Sequence, residues 1–420
     1  MAGYTPILDW IDSQAPRMRR LVREWSDVNS GSHNVAGLAT MLHRLRSAWE
    51  PLDGDTTELS LPDEETIDSA GKIVNTPLGK ALQIRKRPEA PLRAFLCIHM
   101  DTVYPADSAF HRCELLDDNT LRGPGVADAK GGLAVMLLAV EALERSPWAR
   151  NIGWEVLINP DEELGSPGSA PLFDEAARRN HLGLLFEPAM GEGDLVSERG
   201  GSGSFELIVH GRSAHAGRDP KTGRNAINAM AEMIVELNLL ELNGITPDGV
   251  TINVGKVEGG GPVNVVPDLA ICRFNVRVKT PQDQSAAGEG ILNFFRNNER
   301  KRDGIRLEMH GGFHRPPKPL DPQTAKLLDH TVACGKELGL SLGHRRSGGV
   351  SDGNQLAAAG LPNLDSLGPR GGKIHSPEEY VLLNSLPERA KLTALLLMKL
   401  ASGEINWPKT IHEGHEGGHE

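Results

Sequence analysis

The side chains of this sequence that could share one chemistry lie far apart in the chain but recur in one kind of place. His99 and Asp101 stand at the end of an apolar run, Ala94-Phe95-Leu96-Cys97-Ile98. On an extended backbone, residues two apart project to the same side, and a histidine beside a carboxylate is the usual make-up of a metal ligand with its orienting partner. Asp128 lies in a glycine-rich turn, residues 123–132, that feeds an apolar helix over 133–143. Glu162 and Glu163 follow the strand-like run 154–159, and Glu187 follows the run 182–186. Late in the chain His375 sits in Gly371-Gly372-Lys373-Ile374-His375-Ser376, ahead of another apolar helix. Two imidazoles and three carboxylates can hold a pair of zinc-like ions, roughly 3.5–4 Å apart, with one carboxylate bridging. Neighbouring Glu162 and Glu163 cannot both point alike along a regular strand. One can ligate while the other faces the attacking water as general base. A glycine-rich loop before a helix also suits a phosphate. The spacing here is not GxxxxGK[ST], however, and Asp128 would repel that anion, so the nucleotide reading is set aside.

The elements that must position these groups alternate strand and helix, which predicts a parallel α/β sheet with ligands at the carboxyl ends of its strands. Ahead of it the periodicity predicts an amphipathic lead-in helix over about 7–28, broken at Asn29-Ser30-Gly31-Ser32, and a second helix over 35–49. Residues 53–91 are less regular, with strand-like pieces such as 81–84. Beyond Gly200 the pattern changes to strand 205–209, helix 225–240, strands 250–257 and 269–278, helix 282–295 and strand 305–309. That β-α-β-β-α-β order describes a split βαβ sandwich. It divides the chain into a first unit, 1–200 with 314–408, and an insert, 201–313, closed by Pro316-Pro317-Lys318-Pro319. Residues 409–420 are rich in glycine, glutamate and histidine and are expected to be a disordered tail outside the site.

The 420 residues leave room for such a division, and a hydrophobic share of 39% is ordinary for a globular chain. With 45 basic and 56 acidic residues, the net charge of −11 argues against nucleic acid or an anionic membrane as partner. Cys97, Cys113, Cys272 and Cys334 form no CxxC pair and read as reduced, mostly buried thiols. No stretch has the apolar length of a signal peptide core or a membrane span, so a soluble cytoplasmic protein is expected.

Taken together, His99-Met100-Asp101-Thr102-Val103, residues 123–132, Asp161-Glu162-Glu163-Leu164-Gly165-Ser166, Phe186-Glu187-Pro188, Ser213-Ala214-His215-Ala216-Gly217 and Ile374-His375-Ser376 closely resemble the M20 metallopeptidases, nearest to their glutamate carboxypeptidase branch. Six motifs in order span nearly the whole chain. The resemblance implies a catalytic domain with a mixed, mostly parallel sheet flanked by helices. It also implies an inserted βαββαβ ferredoxin-like dimerisation (lid) domain, and hence a homodimer. It implies two Zn2+ per subunit, with Co2+ or Mn2+ as substitutes: His99 on one ion, His375 on the other, Asp128 bridging, Glu163 on the His375 side and Glu187 on the His99 side. Glu162 would take the proton of the attacking water and pass it to the leaving nitrogen, and Asp101 would hold the His99 ring.

By the same resemblance, His215 reaches the neighbouring subunit's site and supports the oxyanion, as a positioned donor can. Asn264 is a second such polar contact. Arg277 binds the substrate's free carboxylate, for which a guanidinium fork is suited. Gly349 belongs to a pocket loop, 347–353, where Val350 is bulkier than the small residue expected. The implied reaction releases a C-terminal, glutamate-like amino acid from a peptide or N-acyl conjugate. An N-acyl amino acid deacylase of the aminoacylase or acetylornithine type would use the same centre. A metal-binding or assembly protein that had lost the reaction would not need Glu162.

Overall fold

The computed structural model describes residues 3–242 and 247–409. The tail expectation for 409–420 lies, Lys409 apart, outside the described residues. A six-stranded sheet runs in the order Asp55–Leu59, Ala81–Lys86, Gly153–Asn159, Arg93–His99, Leu182–Leu185, Asn363–Leu364. The last four strands are mutually parallel, and the first two add antiparallel at one edge. Strand Gly153–Asn159 is buried along its whole length, as a strand covered on both faces must be. Alternation decides which core each side chain enters. Ala94, Leu96 and Ile98 join the larger core, whereas Phe95 and Cys97 turn to a smaller one with Phe173 and Leu356. Helix Gly132–Glu144 is apolar and buried on every side through Val140, with the half-buried Glu141 and Glu144 only in its last turns, and it packs against helix Ser385–Ser402.

The lead-in pattern is two helices rather than one, Thr5–Ser13 and Ala15–Ser26. Pro16 lies in the first turn of the second, where its missing N–H costs nothing and its ring forbids continuation from the preceding turn. Among the described residues no helix is long and apolar enough to cross a membrane.

Six elements from Gly201 to Arg315 form the βαββαβ unit. An antiparallel sheet runs in the order Thr251–Gly259, Leu269–Val278, Gly201–His210, Arg306–Arg315. One face is closed by helices Ala226–Leu242 and Pro281–Lys301, which bury Leu207, Val209, Cys272, Phe274 and Val276 with Met233, Ile291 and Phe294. The second helix starts sharply because Thr280 and Asp283 form a capping box, with Pro281 at the first helical position. Along Leu269–Val278 the alternate residues Arg273, Asn275 and Arg277 lie on the helix-free face. A hairpin of the first unit, Glu64–Ile67 with Ile73–Thr76, leans on that face, and Arg273 Nη2 donates to the Ile67 carbonyl at 2.7 Å.

Candidate metal centre

His99 is delivered by the carboxyl end of a central strand and is 1% exposed. Its Nδ1 faces the Asp101 carboxylate at 3.3 Å and the Asp101 carbonyl at 3.1 Å. That leaves Nε2 for the cavity, 3.0 Å from Asp128 Oδ1 and 3.8 Å from Glu187 Oε2. Asp101 also accepts the Ser32 hydroxyl and the backbone N–H groups of Glu162 and Glu163. One buried carboxylate thus fixes both the imidazole and the turn that carries the two glutamates.

Asp128 sits in a wide helical turn, Val126–Gly131, entered through Gly125 at φ 71°. A side chain there would be strained and would meet Thr102 Cγ2 at 2.7 Å. The turn is shaped by Glu379, which accepts the N–H groups of Gly125, Ala127 and Asp128 and the Tyr104 hydroxyl. The other Asp128 oxygen, Oδ2, lies 3.3 Å from His375 Nε2, which is also 3.3 Å from Glu163 Oε2. His375 itself holds a left-handed backbone conformation, φ 60°, that a non-glycine residue adopts only when its surroundings enforce it. The Glu162–Leu164 turn splits the two glutamates. Glu163 goes to His375, and Glu162 goes to Arg315, whose Nη2 lies 3.0 Å from Glu162 Oε1.

The electrostatics suit cations. Burial alone would depress His99, but Asp101, Asp128 and Glu187 hold it well above its ordinary value. Hydrogen bonds that its ring donates to Asp128 and Glu163 push His375 up to about 10. Burial pushes Glu187 well up, and it raises Glu163 too. Burial also pushes Glu162 up to about 8, against the pull of the Arg315 guanidinium. Asp128 stays below the carboxylate range despite burial, because two imidazoles flank it. Glu163 Oε1 is a buried acceptor with no hydrogen-bond partner. The ligand atoms of His99, Asp128 and Glu163 all lie within 4.8 Å of one another. An orphaned oxygen among imidazoles and carboxylates, with no lysine or arginine on Asp128, Glu163 or Glu187 among the described residues, is a donor set that fits hard or borderline divalent metals.

Metal loading is therefore expected to release protons, since both imidazoles must shed theirs, and the apparent affinity should fall as pH drops. Without metal, the raised His375 contributes stability that is full below its ordinary value of 6.5 and lost as pH rises through about 10. Calorimetric titration of metal-free protein in two buffers of different ionisation enthalpy reads the protons released. A heat independent of buffer would contradict the assignment.

A cavity of about 610 Å³ opens onto this cluster and is lined by Asp128, Glu162, Glu163, Glu187 and His375, with Arg277, Gly349 and Val350 on its walls. His215 and Asn264 are not among its lining residues. They are exposed on adjacent insert loops, joined where Ala216 N donates to the Asn264 carbonyl at 2.9 Å. His215 Nδ1 accepts two backbone N–H groups, from Gly217 and Arg218, so its Nε2 is the nitrogen left to act elsewhere. Arg315 and Glu379 escape a reading of the sequence. Glu379 does lie four residues beyond His375, but no spacing rule sends its carboxylate back to residues 125–128.

The chain belongs to the Peptidase family M20/M25/M40, whose model matches residues 95–399. It is a hydrolase of that metallopeptidase family, which acts on amide bonds. It is 30% identical over 395 residues to carboxypeptidase G2 of Pseudomonas sp. (strain RS-16), covering 93% of this chain and 91% of that one. It is 29% identical to the succinyl-diaminopimelate desuccinylase of Nitrosospira multiformis, covering 88% and 98% respectively. The fold superposes with a TM-score of 0.63 on the YXEP protein of Bacillus subtilis, a dinuclear metal-binding peptidase of the M20 family, at 14% identity and over 93% and 99% of the two chains.

Proposed function

We propose that the protein is a dinuclear zinc hydrolase that releases a C-terminal, glutamate-like amino acid from a peptide or N-acyl conjugate. The observation that carries the reading is Asp128, whose two oxygens each face the Nε2 of a different histidine, His99 and His375. His99, Asp128 and Glu187 would hold one ion, and His375, Asp128 and Glu163 the other. When bound, such ions polarise the scissile carbonyl and lower the pKa of water. Glu162 takes the proton of the attacking water and carries it to the leaving nitrogen. Asp101 keeps the His99 ring in the tautomer that leaves Nε2 free. Arg277 projects from the helix-free face of the insert into the cavity and receives the substrate's free carboxylate, beside the Gly349 loop.

The domain division follows the same reading, with a catalytic domain over 1–200 and 314–408 and a dimerisation unit over 201–313, whose last strand continues to Arg315. The edge strand Thr251–Gly259 and helix Ala226–Leu242 expose Val257, Val235 and Leu239, a surface suited to a second copy. In that homodimer, His215 and Asn264 serve the partner's cavity.

A second reading, deacylation of an N-acyl amino acid, is favoured by the desuccinylase relative and uses the same residues. The test is a screen of zinc-loaded protein against N-acyl amino acids varied at both ends, together with its mass in solution. The proposal expects turnover only with a free carboxylate, the highest kcat/KM with acidic C-terminal residues, and a dimer. Selection by the acyl group alone would transfer the assignment to the deacylase. A fully active monomer would remove His215 from the site.

A further inference from the structure

We propose that Arg315, the last residue of the insert's strand Arg306–Arg315, is the positioning residue for the general base, so that the insert sets the base from the same row of its sheet that presents Arg277. The inference rests on Glu162 being that base. Arg315 is 2% exposed, and its guanidinium is engaged by protein acceptors at the cavity wall. Its Nη2 donates to Glu162 Oε1 at 3.0 Å, to the Glu162 carbonyl at 3.3 Å and to Ser166 Oγ at 2.9 Å, and its Nη1 donates to Asp352 Oδ1 at 2.5 Å. Asp352 in turn accepts from Asn159 Nδ2 and lies 2% exposed, so the far side of the fork is fixed to the catalytic unit. Glu162 Oε2 accepts no hydrogen bond among the described residues, so one oxygen is tethered and the other is free to take a proton.

The sheet register adds the second half. Ser202 pairs with Arg277 on one side and with Arg315 on the other. The two arginines thus stand in one cross-strand row, about 10 Å apart at the backbone, and both line the same cavity. A hydrogen-bonded sheet moves as a unit. A substrate whose carboxylate seats on Arg277 therefore also holds Arg315 against Glu162, and an insert displaced from the cavity would leave Glu162 untethered.

The experiment uses the full chain loaded with zinc and four variants: Arg315→Ala, Arg315→Lys, Glu162→Gln and the Glu162→Gln/Arg315→Ala double. Arg315→Ala should lower kcat about 100-fold, with KM within about threefold and zinc content unchanged. Millimolar guanidinium should restore at least about tenfold, because it refills the vacated fork and meets the same acceptors. Arg315→Lys, which keeps the charge but cannot span both partners, should fall between wild type and alanine. In the Glu162→Gln background the alanine substitution should cost less than about threefold, since a residue acting through Glu162 has nothing left to position. A further loss as large as in the wild-type background, or loss of zinc with no guanidinium rescue, would reduce Arg315 to a structural residue. Full activity in Glu162→Gln would overturn the base itself, whereas an inactive Glu162→Gln beside a fully active Arg315→Ala would overturn only this inference.

Discussion

Glu162→Gln is expected to lower kcat by roughly 10²–10⁴-fold with zinc content unchanged. The glutamine amide is nearly isosteric and can still accept from Arg315, whose guanidinium lies 3.0 Å from Oε1 in the parent. What it cannot do is take a proton. Because Glu162 pairs with Arg315 and Glu163 takes the place beside His375, the atoms proposed to hold metal are left unchanged. KM should change little, since the proposed seat of the substrate's carboxylate, Arg277, is not altered. The measurement is kcat at saturating N-acyl amino acid alongside the metal stoichiometry of the same sample. Unchanged hydrolysis would end the assignment of Glu162, and loss of metal would move it into the ligand set.

The second large effect is expected at Asp128. Asp128→Ala removes the side chain that, alone among the described residues, pairs with both histidines, so both proposed metal positions should weaken together rather than one after the other. Hydrolysis should fall by on the order of 10³-fold or more, the several kcal/mol that metal polarisation supplies. The apo protein should also change its titration. With Asp128 gone, His99 keeps Asp101 and Glu187, but His375 keeps only Glu163, so the proton on His375 should be lost at lower pH than in the parent. Metal binding isotherms and the NMR titration of the His375 ring read the two halves separately. A variant that still binds one equivalent at parental affinity would show that Asp128 does not bridge.

These two expectations differ in where their grounds were visible. The placement of His99, Glu162, Glu163 and Glu187 at the ends of apolar runs is legible in the sequence, because period-2 burial and loop punctuation mark strand ends directly. The βαββαβ order of the insert is legible for the same reason, and its two helices and four strands occupy the expected places, most of them running further at the C-terminal end. The apolar period over 7–28 runs through the break between the two lead-in helices, and Pro16 is the residue that marks it.

What residue order could not decide is how side chains distant in the chain share a proton, a charge or a hydrogen bond. The order of residues established which donor types the protein carries, which elements bear them and which end of the sheet they occupy, since those follow from local pattern and the geometry of parallel strands. The tertiary structure decided the division between Glu162 and Glu163, because that depends on the turn Glu162–Leu164 being anchored to Asp101, an interaction across sixty-odd residues of chain. It also decided the outer ring. Glu379 folds back onto residues 125–128, and Arg315 arrives from the insert to meet Glu162. Burial, which makes each unpaired charge costly, forces such partners to exist, but only packing selects which ones.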